Sequence, residues 1–210
     1  MKPEHREQTV GVLLAGGLSR RMGGGDKPLK ELGGRPILDQ VIERALPQVD
    51  TLILNANGDH ERFKSYGLTI VRDVIDGYAG PLAGILTGME WARDHKPDAR
   101  WLVSFACDAP FFPKDMTSRL IVDVQKADAD MACAKSNERS HPVFAIWPIN
   151  LLDELRKAMV EEEIRKIDFW TSRYNTLQIE FSNINDIDPF FNINRPEDLT
   201  EAEKWVNEHA

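Results

Sequence analysis

Cysteine is scarce in this chain: two among 210 residues, Cys107 and Cys133, and neither lies in a Cys-x-x-Cys pair. That spacing excludes a zinc ribbon or a dithiol redox centre, and it argues against a disulfide-stapled secreted protein. Long apolar runs are missing as well. None approaches the ~18 residues that a membrane span needs. The opening Met1–Gln8 segment is polar, carries both signs of charge and does not read as a signal peptide. A cytoplasmic protein with no membrane partner is expected. The chain also lacks an excess of positive charge. Its formal net charge is −8, which excludes a general nucleic-acid binder, because such affinity comes from neutralising phosphates.

What is present is an ordinary globular composition, 42% hydrophobic and 29% charged, with no internal repeat or low-complexity tract. A single domain over residues 1–210 is expected, long enough for a sizeable core. Apolar runs of strand length alternate with helical patterns. Val10–Ala15, Thr51–Asn55, Leu68–Arg72 and Trp101–Cys107 read as the first four strands. Asp130–Ala134, Pro142–Trp147 and Asn175–Phe181 read as later ones. Helices are expected from Pro36, Pro81 and Pro113, over Asn150–Met159, and over Pro196–Asn207. This alternation predicts an α/β fold with a mostly parallel central sheet and helices on both faces.

In such sheets ligands bind at the carboxyl ends of the strands, near a switch in strand order. Strand one runs directly into Gly16-Gly17-Leu18-Ser19-Arg20-Arg21-Met22-Gly23-Gly24-Gly25-Asp26-Lys27. Within those twelve residues stand five glycines, two arginines and a lysine. Glycines let a backbone approach a ligand closely, and the N–H groups and cations suit phosphate. Residues 20–35 carry a local excess of three positive charges inside an acidic protein. The loop is not a Walker loop, since Pro28 follows Lys27, and it is not a Gly-x-Gly-x-x-Gly dinucleotide fingerprint. Glycines alone would suit a flexible surface loop equally well.

Three further groups fall at the same rim. Asp108 follows strand four directly and is placed to hold a hard divalent cation together with substrate phosphates; it also suits a turn ahead of Pro110. Asn55, Asn57 and Asp73 end strands two and three. Amides can bond to ribose or base edges, and a carboxylate can accept from purine N–H groups, yet all three residue types are common in turns. Gly80-Pro81 places a glycine bend before a helix N-terminus. Cys107 reads as a small core residue. In the second half, His141 is a lone histidine, Asn194 has the residue type of a helix N-cap, and Glu161–Glu163 reads as a solvated face.

Together these residues resemble a known family. Leu14-Ala15-Gly16-Gly17-x-x-Arg20-Arg21-Met22-Gly23-Gly24-x-Asp26-Lys27 is similar to the LxGGxxxRMGxxK loop of nucleotidyltransferases with a three-layer Rossmann-like fold. Asn55-Ala56-Asn57, Asp73, Gly80-Pro81-Leu82-Ala83-Gly84, Cys107-Asp108-Ala109-Pro110, His141-Pro142 and Asn192-Ile193-Asn194-x-Pro196 follow in the order of its molybdenum cofactor guanylyltransferase branch. The resemblance spans roughly residues 10–200.

It implies transfer of GMP from GTP to molybdenum-molybdopterin, with release of pyrophosphate. It further implies that Leu14, Ala15, Gly16 and Gly17 contact the nucleotide and Lys27 its phosphates. Asn55 and Asp73 would touch the guanosine, and Asp108 would hold Mg²⁺ near the α-phosphate. Asn192 and Asn194 would face the pterin. The N-terminal half would then be nucleotide-binding and the C-terminal half mainly acceptor-binding. Molybdenum cofactor synthesis proteins and the chaperones of recipient molybdoenzymes are the expected partners. Arg21, Lys27 and Asp108 are the expected catalytic residues. The two cations stabilise charge on the departing pyrophosphate, and an anionic phosphate nucleophile needs no general base. Cytidylyl transfer to the same pterin, or a non-catalytic cofactor-binding chaperone, are the alternatives.

Overall fold

The chain folds around a sheet in which the first apolar run is an interior strand, as seen in a computed structural model that describes residues 9–15, 27–77 and 80–208. That strand, β1 (Thr9–Leu14), is buried over five of its six residues. It pairs in parallel with β4 (Thr51–Asn55) on one side and β6 (Trp101–Ala106) on the other. Both of its edges are thereby paired, and helix layers cover both of its faces, which explains its near-continuous apolarity. β5 (Thr69–Val71) extends the sheet beyond β4.

Beyond β6 the chain departs from a purely parallel pattern. β8 (Arg139–Pro148) lies antiparallel between β6 and β7 (Met131–Ser136), and β9 (Thr176–Glu180) closes that edge parallel to β7. The seven-stranded order is β5-β4-β1-β6-β8-β7-β9. The chain builds outward from β1 in one direction and then crosses to β6. The carboxyl ends of β1 and β6 therefore flank the switch in strand order, where a ligand crevice is expected.

Helices cover both faces, giving three layers. One apolar cluster joins the sheet to α1 (Ile37–Ala45), α3 (Met116–Ala127) and α6 (Pro196–Glu208). The other joins it to α2 (Pro81–His95), α4 (Leu152–Val160) and α5 (Ile167–Thr171). Alternation along β1 divides the two: Leu13 belongs to the first cluster, Val10 and Val12 to the second.

Several boundaries differ from the sequence reading for identifiable reasons. Pro36 does not open α1. It ends β3 (Arg35–Pro36), which pairs with β2 (Glu31–Leu32) in a two-residue hairpin around Gly33 and Gly34, both at positive φ. Pro113-Lys114-Asp115 likewise precedes α3 instead of beginning it. Residues 149–151 form a 3₁₀ turn ahead of α4.

Helix α2 sits unusually close to the sheet. A Cβ at Gly84 would collide with the Asn55 Oδ1 atom and would lie 2.6 Å from Leu14 Cδ2. Its first turn follows Gly80, at φ 75°, a conformation that favours glycine. Gly84→Ala is expected to cost about 1–3 kcal/mol by overpacking, read as a lower urea midpoint. An unchanged midpoint would show that the helix can retreat without loss.

Candidate active site

Two clusters form at the carboxyl rim. The first is built on Lys27. Its Nζ donates to Asp108 Oδ2 at 2.5 Å and to Asn194 Oδ1 at 2.6 Å. The lysine leads the 3₁₀ turn Lys27–Leu29 at the end of the glycine loop, the aspartate leaves β6, and the asparagine lies just before α6. Their side chains are largely sheltered, at 15% exposure for Lys27 and 25% for Asp108. Charge-assisted bonds of this length are the strong kind. The backbone reinforces the meeting, because Ile193 N–H donates to the Asp108 carbonyl at 2.8 Å. The C-terminal segment is thus tied to the loop that carries the carboxylate.

Asn194 is not the N-cap that its residue type suggested. Helix α6 begins at Pro196, and the Asp198 carboxylate in its first turn accepts from both Asn194 N–H and Arg195 N–H, at 2.7 and 2.8 Å. Asp198 thereby reaches back over the helix start, as the third helical residue of a capping box does, and the Asn194 side chain is turned to Lys27. Asn192 does not join the cluster; its amide donates to the nearby Phe190 carbonyl at 3.2 Å.

The second cluster gathers the ends of β4 and β5. Asn55 Nδ2 donates to Asp73 Oδ1 at 2.9 Å, and Asn57 Nδ2 donates to Asp73 Oδ2 at 2.7 Å. Asn57 also receives the Asp73 backbone N–H on its Oδ1 at 3.1 Å. The next residue is anchored to α2, where Val74 N–H donates to Thr87 Oγ1 at 3.0 Å. Asn55 is buried at 2% exposure. Leu14 and Ala15 lie half-buried at the end of β1, and Ala15 N–H donates to the Asn55 carbonyl at 2.9 Å, which joins the start of the glycine loop to this cluster. Gly16, Gly17 and Arg21 lie outside the described residues.

Other sequence candidates resolve into structure. Cys107 is buried, and burial foremost, then the charge of Asp108, pushes its thiol well above the ordinary range, so it is no nucleophile. His141 meets Ser136 and Asp188, a set that superficially suits nucleophilic catalysis. The order is wrong for it. The Ser136 hydroxyl donates to Asp188 Oδ1 at 2.7 Å, leaving its oxygen to accept from His141 Nε2 at 2.8 Å. A catalytic serine must give its proton to the histidine. Burial holds the His141 pKa below its usual value, with Asp188 opposing. The ring packs on Phe190 at 4.8 Å, so the trio fastens the C-terminal segment to the sheet. Asp188 and Ser136 carried no signal in the sequence, because neither lies in a motif.

Asp108 offers a hard carboxylate oxygen that already faces a cation, the Lys27 ammonium. That chemistry fits Mg²⁺, which commonly takes one or two carboxylates plus substrate phosphates and water. Among the described residues no group of three or more His, Cys, Asp or Glu side chains is placed to hold a metal by itself. A cation held by Asp108 would take further oxygen ligands from substrate phosphate and water.

Comparison with known proteins identifies the family. The family model of the MobA-like NTP transferase domain matches residues 11–174. A molybdenum cofactor guanylyltransferase of Rhodopseudomonas palustris (strain BisB5) is 50% identical over 196 residues, covering 93% of each chain. Its counterpart from Bradyrhizobium sp. (strain ORS 278) is 50% identical over 194 residues, covering 92% of this chain and 91% of that one. The crystal structure of molybdopterin-guanine dinucleotide biosynthesis protein A from Archaeoglobus fulgidus superposes with a TM-score of 0.75 at 26% identity, over 95% of this chain and 99% of that one. On the match over most of its length and the shared topology, the chain belongs to the MobA-like NTP transferase family of nucleotidyltransferases, among the molybdenum cofactor guanylyltransferases.

Proposed function

We propose that the chain transfers GMP from GTP to the terminal phosphate of molybdenum-molybdopterin, giving the guanine dinucleotide form of the cofactor and pyrophosphate. The observation that carries this reading is the Lys27–Asp108–Asn194 cluster. It joins the end of the glycine loop, the carboxylate at the end of β6 and the C-terminal segment in one place. Relatives at about half identity that are named for this reaction support it.

The donor nucleotide would lie along the carboxyl ends of β4, β1 and β6. Leu14, Ala15, Gly16 and Gly17 would present backbone to it, and Asn55 and Asp73 would meet its guanosine. A phosphate oxygen of the pterin attacks the α-phosphorus, and the bond from that phosphorus to the bridging oxygen breaks. Pyrophosphate departs with the electron pair. Catalysis of this kind is mainly positioning and charge neutralisation. Lys27 would leave Asp108 for the phosphates of the arriving nucleotide and stabilise the charge that grows on the pyrophosphate, with Arg21 beside it. That movement would free the Asp108 carboxylate to hold Mg²⁺, which would supply charge neutralisation to the reacting phosphates. It also frees Asn194, and with Asn192 that residue would face the acceptor.

In this reading the N-terminal half serves the nucleotide and the C-terminal half the pterin. The reaction belongs to the cytoplasm, and its product passes to the chaperones of recipient molybdoenzymes. Among the described residues no helix is long and apolar enough to cross a membrane. Pyrophosphate release measured with GTP and with CTP, each with molybdenum-molybdopterin and Mg²⁺, tests the assignment. Turnover with GTP at least tenfold above CTP is expected; faster turnover with CTP would overturn it.

A further inference from the structure

We propose that Asn57 is a positioning residue for base selection: it fixes the Asp73 carboxylate so that both oxygens are offered side by side to the N1–H and 2-amino group of guanine. The inference rests on the guanylyl-transfer reading above and names the residue that would set its preference for guanine.

Three features of the cluster support it. First, the Asn57 amide is used at both ends. It donates to Asp73 Oδ2 at 2.7 Å and accepts the Asp73 backbone N–H at 3.1 Å, so one side chain fixes both the peptide and the carboxylate of Asp73. Second, the bonds to the carboxylate are divided. Asn55 takes Oδ1 and Asn57 takes Oδ2. An ionised carboxylate has about four acceptor positions, two on each oxygen. One amide on each oxygen therefore leaves one position on each of two neighbouring oxygens. Third, the charge is not spent on a cation. Among the described residues Asp73 has no ion-pair partner. Its neighbour Arg72 is directed away, donating to His60 Nε2 at 3.2 Å and to the Gly58 carbonyl at 3.2 Å.

A pair of adjacent acceptors selects a pair of adjacent donors. The Watson–Crick edge of guanine presents two neighbouring N–H donors. Cytosine and adenine present one donor beside an acceptor, which would meet the second carboxylate oxygen with repulsion. Uracil presents a single donor between two acceptors. Polar sites of this kind discriminate strongly, because a mismatched base leaves an acceptor unpaired. Without Asn57 the carboxylate keeps its charge but loses its fixed plane. GTP binding should then weaken, and the preference for a second donor should fade.

The test compares kcat/KM for GTP, ITP and 2′-deoxy-GTP, with molybdenum-molybdopterin and Mg²⁺, in the parent, Asn57→Ala, Asp73→Asn and the double variant. ITP lacks only the 2-amino group. In Asn57→Ala the GTP-over-ITP ratio is expected to fall about tenfold, a loss comparable to one hydrogen bond to a charged group. It should do so through KM, with kcat nearly unchanged. In the Asp73→Asn background, adding Asn57→Ala should change that ratio little, because the two residues act as one unit. An unchanged GTP-over-ITP ratio in Asn57→Ala would overturn the inference while leaving guanylyl transfer intact. A shift confined to the ratio of GTP to 2′-deoxy-GTP would overturn it too, by assigning Asp73 to the ribose. No turnover of GTP by the parent would instead overturn the underlying reading, and this inference with it.

Discussion

Asp108→Asn is expected to lower kcat for nucleotidyl transfer by about 10²–10³-fold, the usual cost of removing one preorganised electrostatic partner of the reacting groups. The substitution preserves shape. An asparagine Oδ1 can still accept from Lys27 Nζ, so the 2.5 Å contact loses its charge but not its partner. The variant loses the carboxylate at which a hard cation would sit beside the α-phosphate. Ground-state affinity for GTP should change far less, since Lys27, the Asn55–Asp73–Asn57 cluster and the backbone of Leu14 and Ala15 are untouched. Stability should move by less than about 1 kcal/mol, because the pair is partly solvated. Steady-state pyrophosphate release, with calorimetric titration of GTP, checks both halves. An unchanged kcat would remove Asp108 from the chemistry. A loss seen only in GTP affinity would leave it a nucleotide-binding residue alone.

Phe190→Ala is expected to cost about 3–5 kcal/mol of folding stability, as full truncation of a buried aromatic does. The ring is 1% exposed and packs against His141 at 4.8 Å, Phe144 at 4.9 Å and Phe181 at 5.5 Å between centroids. Its own N–H donates to Asp188 Oδ1, the carboxylate that also receives the Ser136 hydroxyl. Removing the ring therefore opens a cavity and loosens a buried polar set in one step. Urea denaturation measures the loss. Phe190→Leu, which keeps most of the apolar volume, should lose less. A cost below about 1 kcal/mol in Phe190→Ala would mean that the segment from Phe181 to Ile193 is only loosely held, and that Asn194 reaches Lys27 without this anchor.

The sheet was readable because burial leaves a pattern. β1, β4 and β6 show apolar runs that stop abruptly at glycine, asparagine or aspartate, and strand and rim were visible together. The antiparallel placement of β8 was not, since an apolar run carries no sign of strand direction. The β2–β3 hairpin and α5 are too short for any period to emerge. At the site, residue types were legible and partners were not. Asp73 and the two asparagines were found at one rim, but nothing in their spacing says that both amides point at one carboxylate. Asn194 shows the limit most clearly. Its residue type favours a cap, yet its side chain reaches Lys27 while Asp198 takes the N–H groups of Asn194 and Arg195. Gly16, Gly17 and Arg21, on which the resemblance leans, lie outside the described residues and stay expectations.

The tie between Lys27, Asp108 and Asn194 has a consequence for synthesis. Its members stand 81 and 167 residues from Lys27 along the chain. Closing such loops costs entropy before any contact rewards it. On the ribosome, where a chain emerges from its N-terminus, the glycine loop and the carboxylate appear well before their third partner. A partly made copy can bring Lys27 to Asp108 through the β1–β6 pairing but lacks the asparagine that completes the set. The cluster can be completed only after Asn194 has been added, so its third member is the last to be made.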